Sequence, residues 1–343
     1  MNRYPVNIRP STTGALFFIL IMISGSVEAQ SPKVRALMDT SLYLMKKYSV
    51  NSKEVDWPKI TTEVNKRIKT FDHPYQLGDT YRYLFEALND FHGSIMVADS
   101  TFRWSHKEPV VNDSITKAWS SKIYFLPRKL TPDIGYIRIP YMYFTEREEA
   151  NRKSQILNDS LCYLTSQNIK GIVIDLRLNG GGSMQLMMLG LKQLFAEGKL
   201  GSFIPGENYD WKILNNTFIQ GKDTIASIKP LCNFDLSHIP VVIITSPSTG
   251  SSGEFLVIAF KGRGNTTLLG ATTAGYVTSV KAYSIDEFNL LYLSTGYGVD
   301  KKGKVYRSAI RPDIAMAATD QFNNIDRDQK VKSAVDFLMK KKK

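Results

Sequence analysis

Three stretches of this 343-residue chain carry residue types and spacings that could do chemistry. The first is Asp175-Leu176-Arg177-Leu178-Asn179-Gly180-Gly181-Gly182, which leaves an apolar run and enters a helical pattern. Glycines let a backbone approach a ligand closely, and N–H groups at a helix start can steady an oxyanion or a phosphate. The plainer alternative is a tight strand-to-helix turn. It is not a phosphate loop, since no Gly-Lys-Ser/Thr follows, and its third glycine is misplaced for a dinucleotide fingerprint. The second stretch is Ser248-Thr249-Gly250-Ser251-Ser252-Gly253-Glu254. A serine held on such a turn would have its neighbour's N–H available to an oxyanion. Taken alone, Ser251 with Glu254 reads first as a helix capping box, and Gly-Ser-Ser-Gly does not satisfy the Gly-x-Ser-x-Gly elbow. The third, Leu88-Asn89-Asp90-Phe91-His92-Gly93, closes a helical pattern. By itself His92 reads as a structural histidine whose positive charge would suit a helix C-terminus.

The elements that must position these residues follow from periodicity. Over residues 30–95, Leu37, Leu42, Leu44 and Met45, then Ile60, Val64 and Ile68, then Tyr81, Leu84, Phe85 and Leu88 recur at roughly helical spacing. Asp56-Trp57-Pro58 looks like a helix start, with proline in the first turn. Residues 93–130 are mixed. From there the character changes: 134–140 alternates like a strand, 146–168 reads as a helix, and 171–176 is an apolar run suited to a buried strand. A helix over 184–197, an excursion of short strands over 198–238, a buried strand over 240–245, a helix over 253–260 and a short strand over 266–270 follow. This alternation predicts an α/β layer fold. Both glycine-bearing turns then leave buried strands and open helices.

Together the stretches resemble the C-terminal-processing, or tail-specific, serine peptidases and their tricorn-like relatives. In the family's order, Leu-x-Asp-x-His matches Leu88 to His92, and Gly-Tyr-Ile-x-Ile-Pro matches Gly135 to Pro140. Asp-Leu-Arg-x-Asn-x-Gly-Gly matches Asp175 to Gly182, and Thr-x-Ser-Ser-Gly-Glu matches Thr249 to Glu254. Gly-x-x-Thr-x-Gly matches Gly270 to Gly275, and a closing Pro-Asp-Ile matches Pro312 to Ile314. The resemblance implies a Clp/crotonase-like catalytic core behind a small helical N-terminal region. In it Ser251 would be the nucleophile, and the N–H of Ser252 with that of Gly181 or Gly182 would form the oxyanion hole. The processing branch places its lysine base where this chain has Tyr276, a phenol whose ordinary pKa near 10 suits it poorly to that work. The tricorn-like branch uses a histidine at the position of His92, which suits general-base work near neutral pH. Lys281 is the alternative base. The acid behind His92 has no family counterpart here, because Tyr306-Arg307-Ser308 stands where tricorn has a glutamate; Asp286 and Glu287 are candidates. Only 42 residues separate His92 from Gly135, so no PDZ domain is apparent.

Composition sets the remaining bounds. Hydrophobic residues are 43% and charged residues 22%, ordinary for a globular protein. The net charge of +12 is interleaved with acids apart from Lys340 to Lys343, and no nucleic-acid motif is present. It leaves room for peripheral association with an anionic envelope surface. Arg3 and Arg9, the apolar run Ala15 to Ile23 and the small residues ending at Ala29 have the layout of a signal peptide over 1–29. Export to the periplasm or beyond follows. The domains expected are then a helical region 30–95, a catalytic domain 96–325, and a C-terminal helix with basic tail 326–343. No metal-ligand spacing and no cofactor motif are found. Cys162 and Cys232 could pair in an oxidising compartment, or stay as two buried free thiols. The function expected is hydrolysis of peptides or unfolded polypeptides. The rival is a catalytically inactive relative that binds an apolar ligand or a protein partner; an esterase or amidase using the same serine is a third reading.

Overall fold

The computed structural model describes residues 31–105, 111–121, 125–205 and 209–341. The signal peptide expected over 1–29 lies outside the described residues. Three helices come first: α1 (Pro32–Tyr48), α2 (Trp57–Arg67) and α3 (Gly78–Ala87). The start of α2 is capped as its sequence implies, with Asp56 Oδ1 accepting the Lys59 N–H at 3.1 Å. There follow β1 (Ser94–Val97), β2 (Ser100–Phe102), α4 (Asp113–Ser120), β3 (Leu126–Thr131), β4 (Ile134–Arg138), α5 (Arg147–Thr165), β5 (Gly171–Asp175) and α6 (Met184–Gly190). The middle of the chain forms β6 (Gly198–Ile204), β7 (Asp210–Leu214), β8 (Thr217–Gln220), β9 (Asp223–Ser227), β10 (Val241–Thr245), α7 (Ser252–Arg263) and β11 (Thr266–Gly270). It ends with β12 (Thr278–Ser284), β13 (Asn289–Asp300), β14 (Ile314–Ala315) and α8 (Gln329–Lys341).

Among the described residues these strands build two sheets. A six-stranded sheet runs β14-β11-β10-β5-β4-β3, parallel except for β3. Its strands are apolar on both sides because both faces are covered. In β5, Ile172 and Ile174 enter one core while Val173 enters another; in β10, Val241 and Ile243 part from Val242 and Ile244 in the same way. One face carries α5, α6 and α7, and the other carries α8 through Val331, Ala334 and Leu338. The second sheet is antiparallel, in the order β2-β1-β13-β6-β7-β8-β9 with β12 also on β13. Its Phe203, Trp211 and Phe218 share the core of α5 to α7, so α7 lies between two sheets. This explains why Phe255 to Phe260 are all buried: a helix covered all round needs no polar face. Helices α1 to α3 pack on β1 and on Leu291 and Leu293 of β13.

The α/β class and the helical N-terminal region stand as expected. One sequence expectation needs correction. The helix expected over 184–197 stops at Gly190, which presses on α5 so closely that a Cβ there would lie 2.6 Å from Leu157 Cγ; a short 3-10 turn, Lys192–Leu194, follows. The 198–238 excursion supplies four strands of the antiparallel sheet. Of the two alternatives left open for Cys162 and Cys232, the disulfide is the one present, with Cα atoms 5.6 Å apart, tying α5 to the segment before β10.

Candidate active site

Strands β5 and β10 are parallel neighbours, with Val241 opposite Ile172, so the loops after them leave the sheet at the same edge. This carboxyl edge is where open α/β sheets hold ligands. The two loops are laced together. Thr249 Oγ1 donates to Leu176 O at 2.8 Å, Ser246 Oγ to Arg177 O at 2.7 Å, and Gly250 N to Asn179 O at 3.0 Å. Asn179 works in three directions: its amide nitrogen reaches Ile139 O and Pro140 O, each at 3.2 Å, while its Oδ1 accepts the Gly181 N–H at 3.1 Å. Gly253 has to be glycine for this, since a Cβ would meet Asn179 Oδ1 at 2.7 Å.

Behind the first loop a buried ion cluster fixes the backbone. Arg177 pairs with Asp175 at 2.6 Å and with Asp320 and Asp328 at 2.7 Å each, and Lys330 reaches Asp320 at 2.7 Å. Burial works against the ionised Asp175, but the Arg177 guanidinium together with hydrogen bonds from the Tyr136 hydroxyl and the Arg177 N–H holds that carboxyl below its ordinary value. The C-terminal segment is thereby clamped under the glycine turn.

Ser251 joins β10 to α7 with φ 49° and ψ −118°. A non-glycine residue there is strained by about 1–3 kcal/mol, and such strain collects at functional sites. The strain is held by Glu254, whose Oε2 accepts the Ser251 N–H at 3.0 Å and whose Oε1 accepts from Thr273 Oγ1 at 2.5 Å and Gly275 N at 2.8 Å. Burial pushes the Glu254 carboxyl up to about 7 against these donors. The capping box expected from the sequence is thus present. The Glu254 N–H faces both oxygens of Ser251, with its 2.8 Å bond to the main-chain oxygen. Ser252 differs: it is buried, and its hydroxyl is spent on Gly182 O at 2.8 Å.

The glycine turn faces Ser251. A Cβ on Gly181 would lie 3.0 Å from Ser251 Cβ and 3.5 Å from its Oγ. Gly181 has φ 129° and Gly182 φ 95°. Since Gly181 gives its N–H to Asn179, Gly182 is the glycine left to serve a ligand. Ser252, as the first residue of α7, has an N–H with no intrahelical acceptor.

His92 arrives from the other sheet, five residues beyond α3 and just before β1. Its ring stacks at a tilt on Tyr276, centroids 4.9 Å apart, and Tyr276 Cδ2 lies 3.3 Å from where a Cβ on Gly250 would be. The histidine therefore stands one aromatic ring from the serine turn, and the two side chains are not hydrogen-bonded to each other. His92 Nδ1 instead meets Thr278 Oγ1 at 3.0 Å. Enclosure by protein pushes the imidazole down to about 4, opposed by a hydrogen bond to the Thr278 main chain. Ser251, Ser252, Gly181 and Gly182 are brought together, with His92 beside them. Lys281 is not: it is exposed, with Nζ on the Tyr209 hydroxyl at 2.5 Å and over that ring. Asp286 holds the turn between β12 and β13, bonding Phe288 N and Asn289 N at 2.9 Å each. Sequence reasoning gave no role to Thr278, Ser294 or Asp90. Thr278 Oγ1 lies 2.9 Å from Ser294 Oγ, and Ser294 Oγ lies 2.6 Å from Asp90 Oδ1.

Residues 133–316 match Peptidase family S41. The chain belongs to this family. A nisin-resistance protein of Lactococcus lactis is 27% identical over 213 residues, covering 61% of this chain and 63% of that one. The tricorn protease of Thermoplasma volcanium is 23% identical over 235 residues, which are 65% of this chain and 19% of tricorn. The match thus spans less than two thirds of either relative. Among solved structures, the photosystem II D1 C-terminal processing protease superposes with a TM-score of 0.53 at 13% identity, covering 83% of this chain and 93% of that one. The S41 assignment makes the chain a relative of the tail-specific and tricorn-like peptidases.

Proposed function

We propose that this chain is an exported serine peptidase that hydrolyses peptides or unfolded polypeptides. The observation that carries the reading is Ser251, held at φ 49° on the turn into α7 against the glycine loop. Ser251 Oγ attacks the scissile carbonyl carbon while His92 takes the hydroxyl proton; the N–H groups of Gly182 and Ser252 steady the oxyanion. Collapse expels the amine with the proton from His92, and water then cleaves the acyl-enzyme by the same route. The separation of Ser251 from His92 fits a free site, since such bonds tighten when substrate binds. An apolar cavity of about 730 Å³ opens beside Gly180, lined by Trp119, Phe125, Tyr141, Met142 and Ile156. It is suited to apolar side chains of a substrate. Export is supported by the layout of residues 1–29 and by the disulfide, which persists in oxidising compartments. The second reading, an inactive relative, is favoured by Tyr276, whose ring touches both His92 and the serine turn.

The test is labelling by a fluorophosphonate, with the modified residue found by peptide mass. Labelling of Ser251 that is lost in Ser251→Ala, kept in Ser252→Ala and sharply reduced in His92→Ala is the expected result. No labelling of the wild type sinks the hydrolase reading; labelling that survives His92→Ala removes His92 as base.

A further inference from the structure

His92 Nδ1 begins a continuous line of hydrogen bonds. It meets Thr278 Oγ1 at 3.0 Å, Thr278 Oγ1 meets Ser294 Oγ at 2.9 Å, and Ser294 Oγ meets Asp90 Oδ1 at 2.6 Å. Strand pairing sets the middle of this line, because Thr278 on β12 and Ser294 on β13 lie in adjoining strands next to a register shift at Ser279/Val280. Asp90 is fixed independently: its Oδ1 accepts the Gly93 N–H at 2.7 Å and its Oδ2 accepts the Ser294 N–H at 3.0 Å. Asp90 and Ser294 are buried, so water does not substitute for the link between them, while His92 and Thr278 are half-buried.

Resting on the reading of His92 as base, we propose that Asp90 is its orienting acid, acting through the hydroxyls of Ser294 and Thr278 as positioning residues. The direction of the line follows from chemistry. A carboxylate only accepts, so Ser294 donates to Asp90. Ser294 then accepts from Thr278, and Thr278 accepts from His92 Nδ1–H. The imidazole is thereby set in the Nδ1–H tautomer, with the Nε2 lone pair left for the proton of Ser251. When Nε2 takes that proton, the line of hydroxyls polarises toward Asp90 and steadies the imidazolium without any heavy atom moving. This is the task that a directly bonded aspartate performs in a Ser-His-Asp triad. Here the acid stands two residues from the histidine in sequence and two hydroxyls away in space.

A purely structural Asp90 would make the same bonds to Gly93 and Ser294 main chain. The variants therefore leave those bonds alone. Ser294→Ala removes one hydroxyl and keeps the N–H that Asp90 accepts; Thr278→Val removes the hydroxyl against His92; Thr278→Ser restores it. Two measurements separate the outcomes. Long-range proton–nitrogen spectra of histidine-labelled protein carrying Ser251→Ala report the His92 tautomer without any need for activity. The His92 signal is identified by its loss in His92→Gln. The second measurement is the rate of fluorophosphonate labelling in proteins that keep Ser251. The expected result is an Nδ1–H signal in the parent, lost or mixed with the Nε2–H form in Ser294→Ala and Thr278→Val. Labelling falls about 10- to 100-fold in both, the range found when an outer-shell partner is removed, and Thr278→Ser recovers both the tautomer and most of the rate. An unchanged tautomer in Ser294→Ala and Thr278→Val overturns the proposal, whatever the labelling rates. A wild type that never labels, yet shows the tautomer shift, overturns the hydrolase reading and leaves the line of hydrogen bonds standing.

Discussion

Substituting Gly182 by alanine tests the oxyanion loop directly. The residue sits at φ 95°, where an L side chain costs about 1–2 kcal/mol. Its Cβ would meet Met142 O at 1.8 Å, far inside contact distance. That oxygen cannot step aside cheaply, because it accepts the Ser183 N–H at 2.6 Å and belongs to the bridge between residues 142 and 182. The turn itself must therefore move, and the Gly182 N–H moves with it. Removing one oxyanion donor costs about 10²–10³ in kcat, or about 3–4 kcal/mol of transition-state stabilisation. Gly180→Ala is the matched control: its Cβ would find only Ser248 O at 3.8 Å, an ordinary contact. The assay is the rate of fluorophosphonate labelling beside a thermal melt of each variant. We expect Gly182→Ala to remain folded, with labelling slowed at least 100-fold, and Gly180→Ala to stay near the wild-type rate. A folded Gly182→Ala that labels at the wild-type rate refutes the assignment of this N–H to the oxyanion.

Three further outcomes follow from the same geometry. Only neutral imidazole can accept a proton, and burial pushes His92 down to about 4, so kcat/KM should persist through pH 5.5 and be lost on acidification toward 4; an acid limb near 6.5 would contradict the buried placement. Arg177→Met strands Asp175 and Asp328 in the interior without their cation and leaves Asp320 with Lys330 alone, which should cost about 3–5 kcal/mol in urea unfolding. An unchanged midpoint would show that the cluster does not clamp the C-terminal segment. Cys162→Ser opens a loop with a sequence separation of 70, and chain entropy puts the loss at about 4 kcal/mol; reduced wild type should unfold at the same midpoint as the variant.

Much of the parallel sheet was legible, because β4, β5 and β10 are short, buried on both faces and each followed by a helix. Val241 to Thr245 and Gly171 to Asp175 could be read one at a time, and right-handed crossover rules then place them side by side. The antiparallel sheet was not legible in the same way. It is assembled from β1 and β2 near the N-terminus, β6 to β9 in the middle and β12 and β13 near the end. The pairing of Ser94 with Tyr292 joins residues that no local pattern relates. The disulfide was equally beyond local reading, since Cys162 on α5 shows its partner only once the segment before β10 is folded back onto that helix.

The same division runs through the site. The serine and glycine turns are contiguous motifs, and their chemistry shows in the order of residues. The surroundings of His92 are contributed by three distant segments, so no local pattern points to the charge behind it. Asp286 is committed to its own hairpin, holding Asn289 through both carboxylate oxygens at 2.7 Å. Asp90 was in view from the start, but an aspartate two residues before a histidine cannot reach around to Nδ1 by itself. What makes it able to act is β13 crossing behind the turn, with Ser294 and Thr278 filling the gap. Hydroxyls carry no charge and no motif, so a sequence gives no hint that two of them are aligned. At the end of this line Asp90 takes the part of the missing family glutamate, while enclosure by protein keeps the basicity of His92 low.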